Sequence, residues 1–170
     1  MTPELCLQIA PLFAHTVDAD GNSLPIAPDQ VVNFGMIVPQ NKHLALAEHL
    51  KEAGYSMYVT VVASHWEAQT VKGQPAPDPE HFEVATVVRR PALKASRTFS
   101  WRVRLELGES IGSLASLYAG ADWQEREQYD LVGVRFDNHP DLRRLMMPED
   151  WPGHPLRRDY AIDTSHFPWR

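Results

Sequence analysis

A chain of 170 residues with a net charge of −6 can hold one domain with a proper core, and it lacks the basic footprint of a general nucleic-acid binder. Its single cysteine, Cys6, excludes an internal disulfide and any iron–sulfur cluster held by this chain alone. No apolar run approaches the roughly 18 residues of a membrane span, and no signal peptide is expected, so the reading is cytosolic and compatible with attachment to a membrane complex.

Thr2, Pro3 and Glu4 make a good helix start, and Leu5, Ile9, Leu12 and Phe13 then share a face, with Pro11 shortening or kinking the helix. Cys6, set among Leu5, Leu7 and Ile9, reads as a buried thiol. Residues 15–29 read as a turn-rich connection with a weak strand near 16–19. Residues 31–38 alternate as a strand. Asn41 is expected to cap a helix whose buried stripe is Leu46, Ala47, Leu50 and Ala53, with Gly54 ending it. Residues 55–66 are apolar on most positions of both faces, which predicts a central strand.

The stretch 67–80, with Gly73, Pro75, Pro77 and Pro79, predicts an exposed loop, and 82–89 another strand. Residues 98–107 alternate strictly: Phe99, Trp101, Val103, Leu105 and Leu107 on one side, Ser100, Arg102, Arg104 and Glu106 on the other. A short helix capped by Ser110 is expected over 111–119. The fold class that follows is α+β: a two-layer domain, with a mixed, mostly antiparallel sheet and helices on one side, followed by an extended irregular C-terminal arm. Residues 1–120 form the core, and 121–170 a helix and docking arm within the same unit.

Three kinds of chemistry are testable against spacing. Gly108-Glu109-Ser110-Ile111-Gly112 matches a nucleophile elbow, with Asp130 and His154 in Ser–Asp–His order. The preceding strand alternates like a half-solvated one, however, and a helix-capping role explains the serine. No histidine pair has the spacing of metal ligands on a helix; His139 and His154 each precede proline in irregular chain and read as structural, although they could meet Asp150 or Asp159 in space. Asp122 and Glu125 resemble a capping box for a helix over 123–132 stopped by Gly133, and Arg126 can pair with Asp130 on its surface.

Glu125 and Glu127 are two apart and point to nearly opposite sides, so they make a poor acid/base pair. Each carboxylate should instead find its own partner. Arg143, Arg144, Arg157 and Arg158 could serve, because the planar guanidinium suits bidentate pairing within the chain or on a neighbour. The tail mixes these arginines with Trp151, Tyr160, Phe167 and Trp169 and with stiff His-Pro and Trp-Pro steps, which is the makeup of a protein–protein hot spot.

Glu125-Arg126-Glu127, Tyr129-Asp130-Leu131, Gly133, Phe136, His139-Pro140 and Leu142-x-Arg144 resemble the signature of one subunit of bacterial NADH–quinone oxidoreductase (respiratory complex I), the one lettered C. Met147 to Trp151 and Gly153 to Tyr160 continue it, and the related subunit of cyanobacterial and plastid NDH-1, lettered J, shares it. The resemblance implies a peripheral-arm subunit of a proton-translocating complex on the cytoplasmic side of the inner membrane. It implies no catalytic, cofactor or metal residue in this chain, with FMN and iron–sulfur clusters held by partner subunits. The implied partners are the hydrogenase-large-subunit-like quinone-site subunit and iron–sulfur subunits. The residues expected to carry assembly are Glu125, Arg126, Glu127, Asp130, His139, Arg144, Trp151, His154, Arg157, Arg158 and Tyr160. A homologous subunit of a membrane-bound hydrogenase or of a ferredoxin-using NDH-1-type complex is the alternative, and a serine hydrolase using Ser110 a remote one.

Overall fold

The computed structural model describes residues 16–17, 23–24, 37–68, 79–91 and 97–161. The expected helix at 2–13, most of the strand at 31–38, most of the loop at 67–80 and the last nine residues lie outside them. Thr16–Val17 (β1) pairs antiparallel with Ser23–Leu24 (β2). The Asp20-Gly21-Asn22 turn signal lies between them.

Three ten-residue strands make the main sheet: β3 (Met57–Trp66), β4 (His81–Arg90) and β5 (Arg97–Glu106), antiparallel in the order β3–β4–β5. Beyond β5, Ile37 bridges to Arg102 in parallel and Val38 N–H donates to Arg102 O at 2.8 Å, so the sheet is mixed. The register aligns one core face across the ladder: Phe82 opposite Leu105, Val84 opposite Val103, Thr86 opposite Trp101 and Val88 opposite Phe99. Val61, Ala63 and His65 of β3 continue it. On the other face, Glu83 accepts from Arg102 at 3.0 Å and lies 3.9 Å from Arg104. The alternation of β5 holds from Trp101 onward, but Ser100 on the polar side is buried too, and the strand stops at Glu106 and leaves Leu107 exposed in a turn.

Within the stretch 55–66 the strand is β3, Met57–Trp66, and it lies at the edge and not at the predicted centre of the sheet; β4 is central. The apolar second face misled the pattern because the edge is covered by a helix, α2 (Ala121–Val132). Its Gln124 accepts from Val61 N–H at 3.0 Å and donates to Val59 O, and Gln128 accepts from Ala63 N–H at 2.9 Å. Side-chain amides thus replace a missing neighbouring strand, beside the bulge between Tyr58 and Thr60.

Helix α1 (His43–Glu52) buries Leu46, Ala47 and Leu50, each fully, and Gly54 at φ +90° ends its turn. Burial of a leucine side chain contributes roughly 1.5–3 kcal/mol. Asn41 does not cap it: a 3-10 turn over Gln40–Lys42 leads in, and no side chain caps either element. His43 instead anchors the helix start, accepting from Trp101 Nε1–H at 3.0 Å in the core.

The predicted helix at 111–119 is absent. Ser110–Gly112 (β6) pairs in parallel with Arg135–Asp137 (β7), and turns follow to residue 120. A three-residue strand that ends on a glycine leaves no period to read. Ile111 enters the core and Gly112 lies against Leu44, where a Cβ would sit 2.8 Å from its side chain.

Candidate functional site: a strap docked on its own helix

Helix α2 carries the signature residues and presents a different face to each neighbour. Its N-cap is Gly120, with no side-chain cap, so the predicted capping box at Asp122 does not form. With Gly120 as N-cap, Glu125 sits two residues too deep for that role and reaches across to the preceding segment. It accepts from Ser113 Oγ–H at 2.6 Å and Leu114 N–H at 2.8 Å, with 1% of the residue exposed. Its partners are a hydroxyl and an amide, not the arginine anticipated for it. Burial, partly offset by these two bonds, pushes its carboxyl up to about 7. Glu127, pointing elsewhere, is half-buried.

Arg126 and Asp130 do not pair with each other and are not on the surface. Asp130 is fully buried and takes its partners from the irregular chain that follows, residues 138–161, the strap. Its Oδ2 accepts from the backbone N–H groups of Leu145, Met146 and Met147 at 3.0, 2.7 and 2.9 Å, and its Oδ1 from Arg144 at 2.8 Å. Desolvation would raise this carboxyl, but the amides of Met147 and Met146, Arg144 and the Leu145 amide outweigh it and hold it below the usual range. Three consecutive N–H groups converge on one oxygen only if the chain turns around it, so Asp130 dictates the strap's local path.

Arg144 closes that turn. Its fork donates to four acceptors: Asp130 O and Oδ1, Trp151 O at 3.1 Å and Gly153 O at 3.0 Å. Arg126 lies over the Trp123 ring at 5.6 Å and donates to the carbonyls of Arg143 and Arg144, with Asp141 at 3.6 Å. His139 accepts from Asp141 N–H at Nδ1, so the Nε2–H is the donor to Asp122 O at 3.1 Å. His154 donates from Nδ1 to Asp130 O at 2.9 Å, and its ring packs so closely on Gly133 that a Cβ there would meet it at 2.7 Å. Leu156 N–H adds a bond to Leu131 O.

The far end of the strap returns to the sheet. Arg158 N–H donates to His65 Nδ1 at 3.3 Å, and its guanidinium lies over Trp66 at 5.2 Å. Arg157 lies over Phe82 at 5.3 Å and grips Asp159 through two bonds of 2.8 and 2.7 Å. His65, Glu80 and Asp159 come together closely enough to hold a metal ion, but Arg157 stands between the two acids, 3.9 Å from Glu80, and His65 Nε2 already bonds Glu80 at 2.8 Å. This reads as an ion-pair clasp in which the guanidinium does a cation's work. Tyr160 is half-buried against Gly153, beside an open groove of about 450 Å³ that His154, Arg157 and Asp159 also line.

Some residues were invisible to spacing, and one was misread by it. Ser113, His65 and Gln128 act through contacts whose partners lie 12 or more residues away along the chain. Ser110, singled out as a possible nucleophile, neither caps a helix nor meets His154; its hydroxyl donates to Asp137 at 2.6 Å beside the β6–β7 pairing. Three large apolar side chains of the strap face outward, Met146, Trp151 and Leu156 at 61, 38 and 62% exposed, among exposed charged residues such as Arg143, Glu149, Asp150 and Arg158.

Sheet, helix and strap together define a class: a small α+β domain closed by a self-docked C-terminal strap. Residues 36–166 match the family model described as respiratory-chain NADH dehydrogenase, 30 Kd subunit, and the chain belongs to that family. Subunit 5 of the NADH-quinone oxidoreductase of Thermus thermophilus is 31% identical over 152 residues, 87% of this chain and 71% of that protein. The NADH-quinone oxidoreductase subunits lettered C from Geobacter metallireducens and Salinispora tropica are 56% identical over 57 residues and 51% identical over 72 residues. Those two matches span only 35% and 29% of the relatives' lengths. A solved trypsin-resistant fragment of Nqo5 superimposes with a TM-score of 0.51 at 26% identity, covering 63% of this chain and 80% of that one.

Proposed function

We propose that this chain is a structural subunit of an NADH-quinone oxidoreductase, holding neighbouring subunits in place and carrying no flavin, iron–sulfur cluster or quinone of its own. The observation that carries the reading is the strap: its backbone is pinned inward through Asp130 and Arg144 while Met146, Trp151 and Leu156 face outward. A pre-ordered ridge of this kind, apolar anchors set among charged side chains, loses little conformational entropy on docking, which suits a permanent interface. The names of its relatives supply the complex. In the proposed assembly the ridge packs against the quinone-site and iron–sulfur subunits at the cytoplasmic face of the inner membrane. Within the described residues no helix is long and apolar enough to cross a membrane, in keeping with a peripheral position.

The test is a deletion of residues 148–170 in the intact complex, followed by native electrophoresis and NADH-quinone activity. Loss of the assembled complex, with this chain still produced, is the expected result. Unchanged assembly and activity would overturn the proposal.

A further inference from the structure

We propose that Glu125 is a proton-binding site built into the junction between α2 and the strap, and that its ionisation loosens the strap at residues 139–141. The geometry has three parts. First, the carboxyl group is almost wholly enclosed, and its donors are the Ser113 hydroxyl and the Leu114 amide. The ion-pair partner that the structure gives it is His139, with Nε2 at 4.0 Å. An ionised carboxylate so enclosed has too few donors to replace its hydration. A neutral acid is well served, since the 2.6 Å contact with Ser113 works equally with the acid donating to the hydroxyl oxygen.

Second, the surroundings favour a proton on Glu125 in particular. From α2, Asp122 presents a second carboxylate; from β3, Tyr58 presents a buried hydroxyl; the strap supplies His139 and, beyond it, Asp141. Tyr58 Oη and Asp122 Oδ1 are buried and have no hydrogen-bond partner among the described residues. The Asp122 side chain is 37% exposed, whereas that of Glu125 is 1% exposed. Of two acids sharing one imidazole, the enclosed one holds the proton.

Third, the cluster is wired to the strap. His139 Nε2–H donates to Asp122 O while Nδ1 accepts from Asp141 N–H at 3.1 Å, so one ring orientation serves both bonds. When Glu125 gives its proton to solvent, the new charge lies within 4.0 Å of this movable donor. Turning Nε2–H toward it moves His139 from the Asp122 carbonyl to the Glu125 carboxylate, both on α2, and takes Nδ1 away from Asp141 N–H, so the strap's own turn over residues 139–141 loses its internal bond. Neither membership of a complex nor any partner is needed for this behaviour.

The test uses the full chain. Carbon-13 NMR of the Glu125 carboxyl is followed with pH, together with amide exchange at Asp141 corrected for intrinsic rates. The carboxyl should titrate near neutrality, and Asp141 protection should fall about tenfold between about pH 5.5 and 8.5. Glu125→Gln, which mimics the neutral acid, should keep Asp141 protected throughout. His139→Gln should leave the Glu125 titration in place while removing the pH response at Asp141. A carboxyl fully titrated below about pH 5.5 would overturn the proposal. So would a pH response at Asp141 that survives in Glu125→Gln. Should that variant not fold, the wild-type carboxyl titration decides by itself.

Discussion

Asp130 Oδ1 and Arg144 Nη1 stand 2.8 Å apart, with the carboxylate side chain fully buried and the guanidinium side chain 15% exposed. The pair is the knot of the strap, because each partner also organises backbone the other cannot reach. Asp130→Ala removes the acceptor for three amides and leaves Arg144 uncompensated, a change expected to cost roughly 3–5 kcal/mol. Arg144→Lys keeps a charge but loses the fork, and should open the strap at a smaller cost, on the order of 1–3 kcal/mol. Chemical denaturation gives both values, and limited proteolysis within 145–160 should quicken in each variant. The Asp130 contribution is present above the unfolded carboxyl value of 3.8 and is lost as pH falls through the lower folded one.

Gln124 and Gln128 cover the free edge of β3 with amide groups. Replacing either with alanine unsatisfies a ladder amide, for about 1 kcal/mol each. The double variant should do something more visible: expose a strand edge to other copies. Light scattering on gentle heating should rise earlier than for a variant equally destabilised elsewhere, such as Leu50→Ala.

Gly133 ends α2 at φ +90° and has the His154 ring where a side chain would be. Gly133→Ala therefore combines left-handed strain of roughly 1–3 kcal/mol with displacement of His154. The Asp130 O to His154 bond should be lost with it, visible as a changed His154 proton resonance together with a lowered melting temperature.

His43 lies in the core with Trp101 Nε1–H on its Nδ1, and burial, partly opposed by a backbone bond at Gly112, lowers its pKa from 6.5 to about 4. Between those values the unfolded chain binds a proton that the folded chain refuses. Stability therefore falls as pH drops from about 6.5 to about 4, by roughly 3 kcal/mol. Glu125, raised from 4.5 to about 7, has the opposite sign: its folded form keeps a proton the unfolded chain releases, so its contribution is lost as pH rises through that range. His43→Gln, which still offers Trp101 an acceptor, should remove the His43 acid loss and leave the Glu125 slope uncovered. Urea midpoints from pH 4 to 8 report it.

Sheet and family were legible in the sequence because both are local. Phe99 to Leu105 alternate apolar with polar along the chain, although Ser100 is buried like its neighbours, and the signature from Glu125 to Tyr160 is a continuous string. What could not be read was pairing at a distance. Arg126 and Asp130 have the spacing of a helix-surface pair, yet burial sends each to the strap. Ser110 has the sequence of a cap or an elbow, yet Arg135 pairs with it as a strand. Periodicity reports which face is dry, not which neighbour dries it, so residues 55–66 read as a central strand when a helix covered their edge.

The Arg158 amide meets His65 across 93 positions of chain, and Arg158 then covers Trp66. Such a contact has to wait for the β3–β4 hairpin, since until that hairpin exists there is no surface for the strap's end to land on. Seating of the strap thus works as a completion mark. In pulse-labelled refolding, the Arg158 amide should become protected after those of β4. A half-folded chain would present a loose tail where the finished one presents a ridge, and an assembling neighbour could tell the two apart by touch.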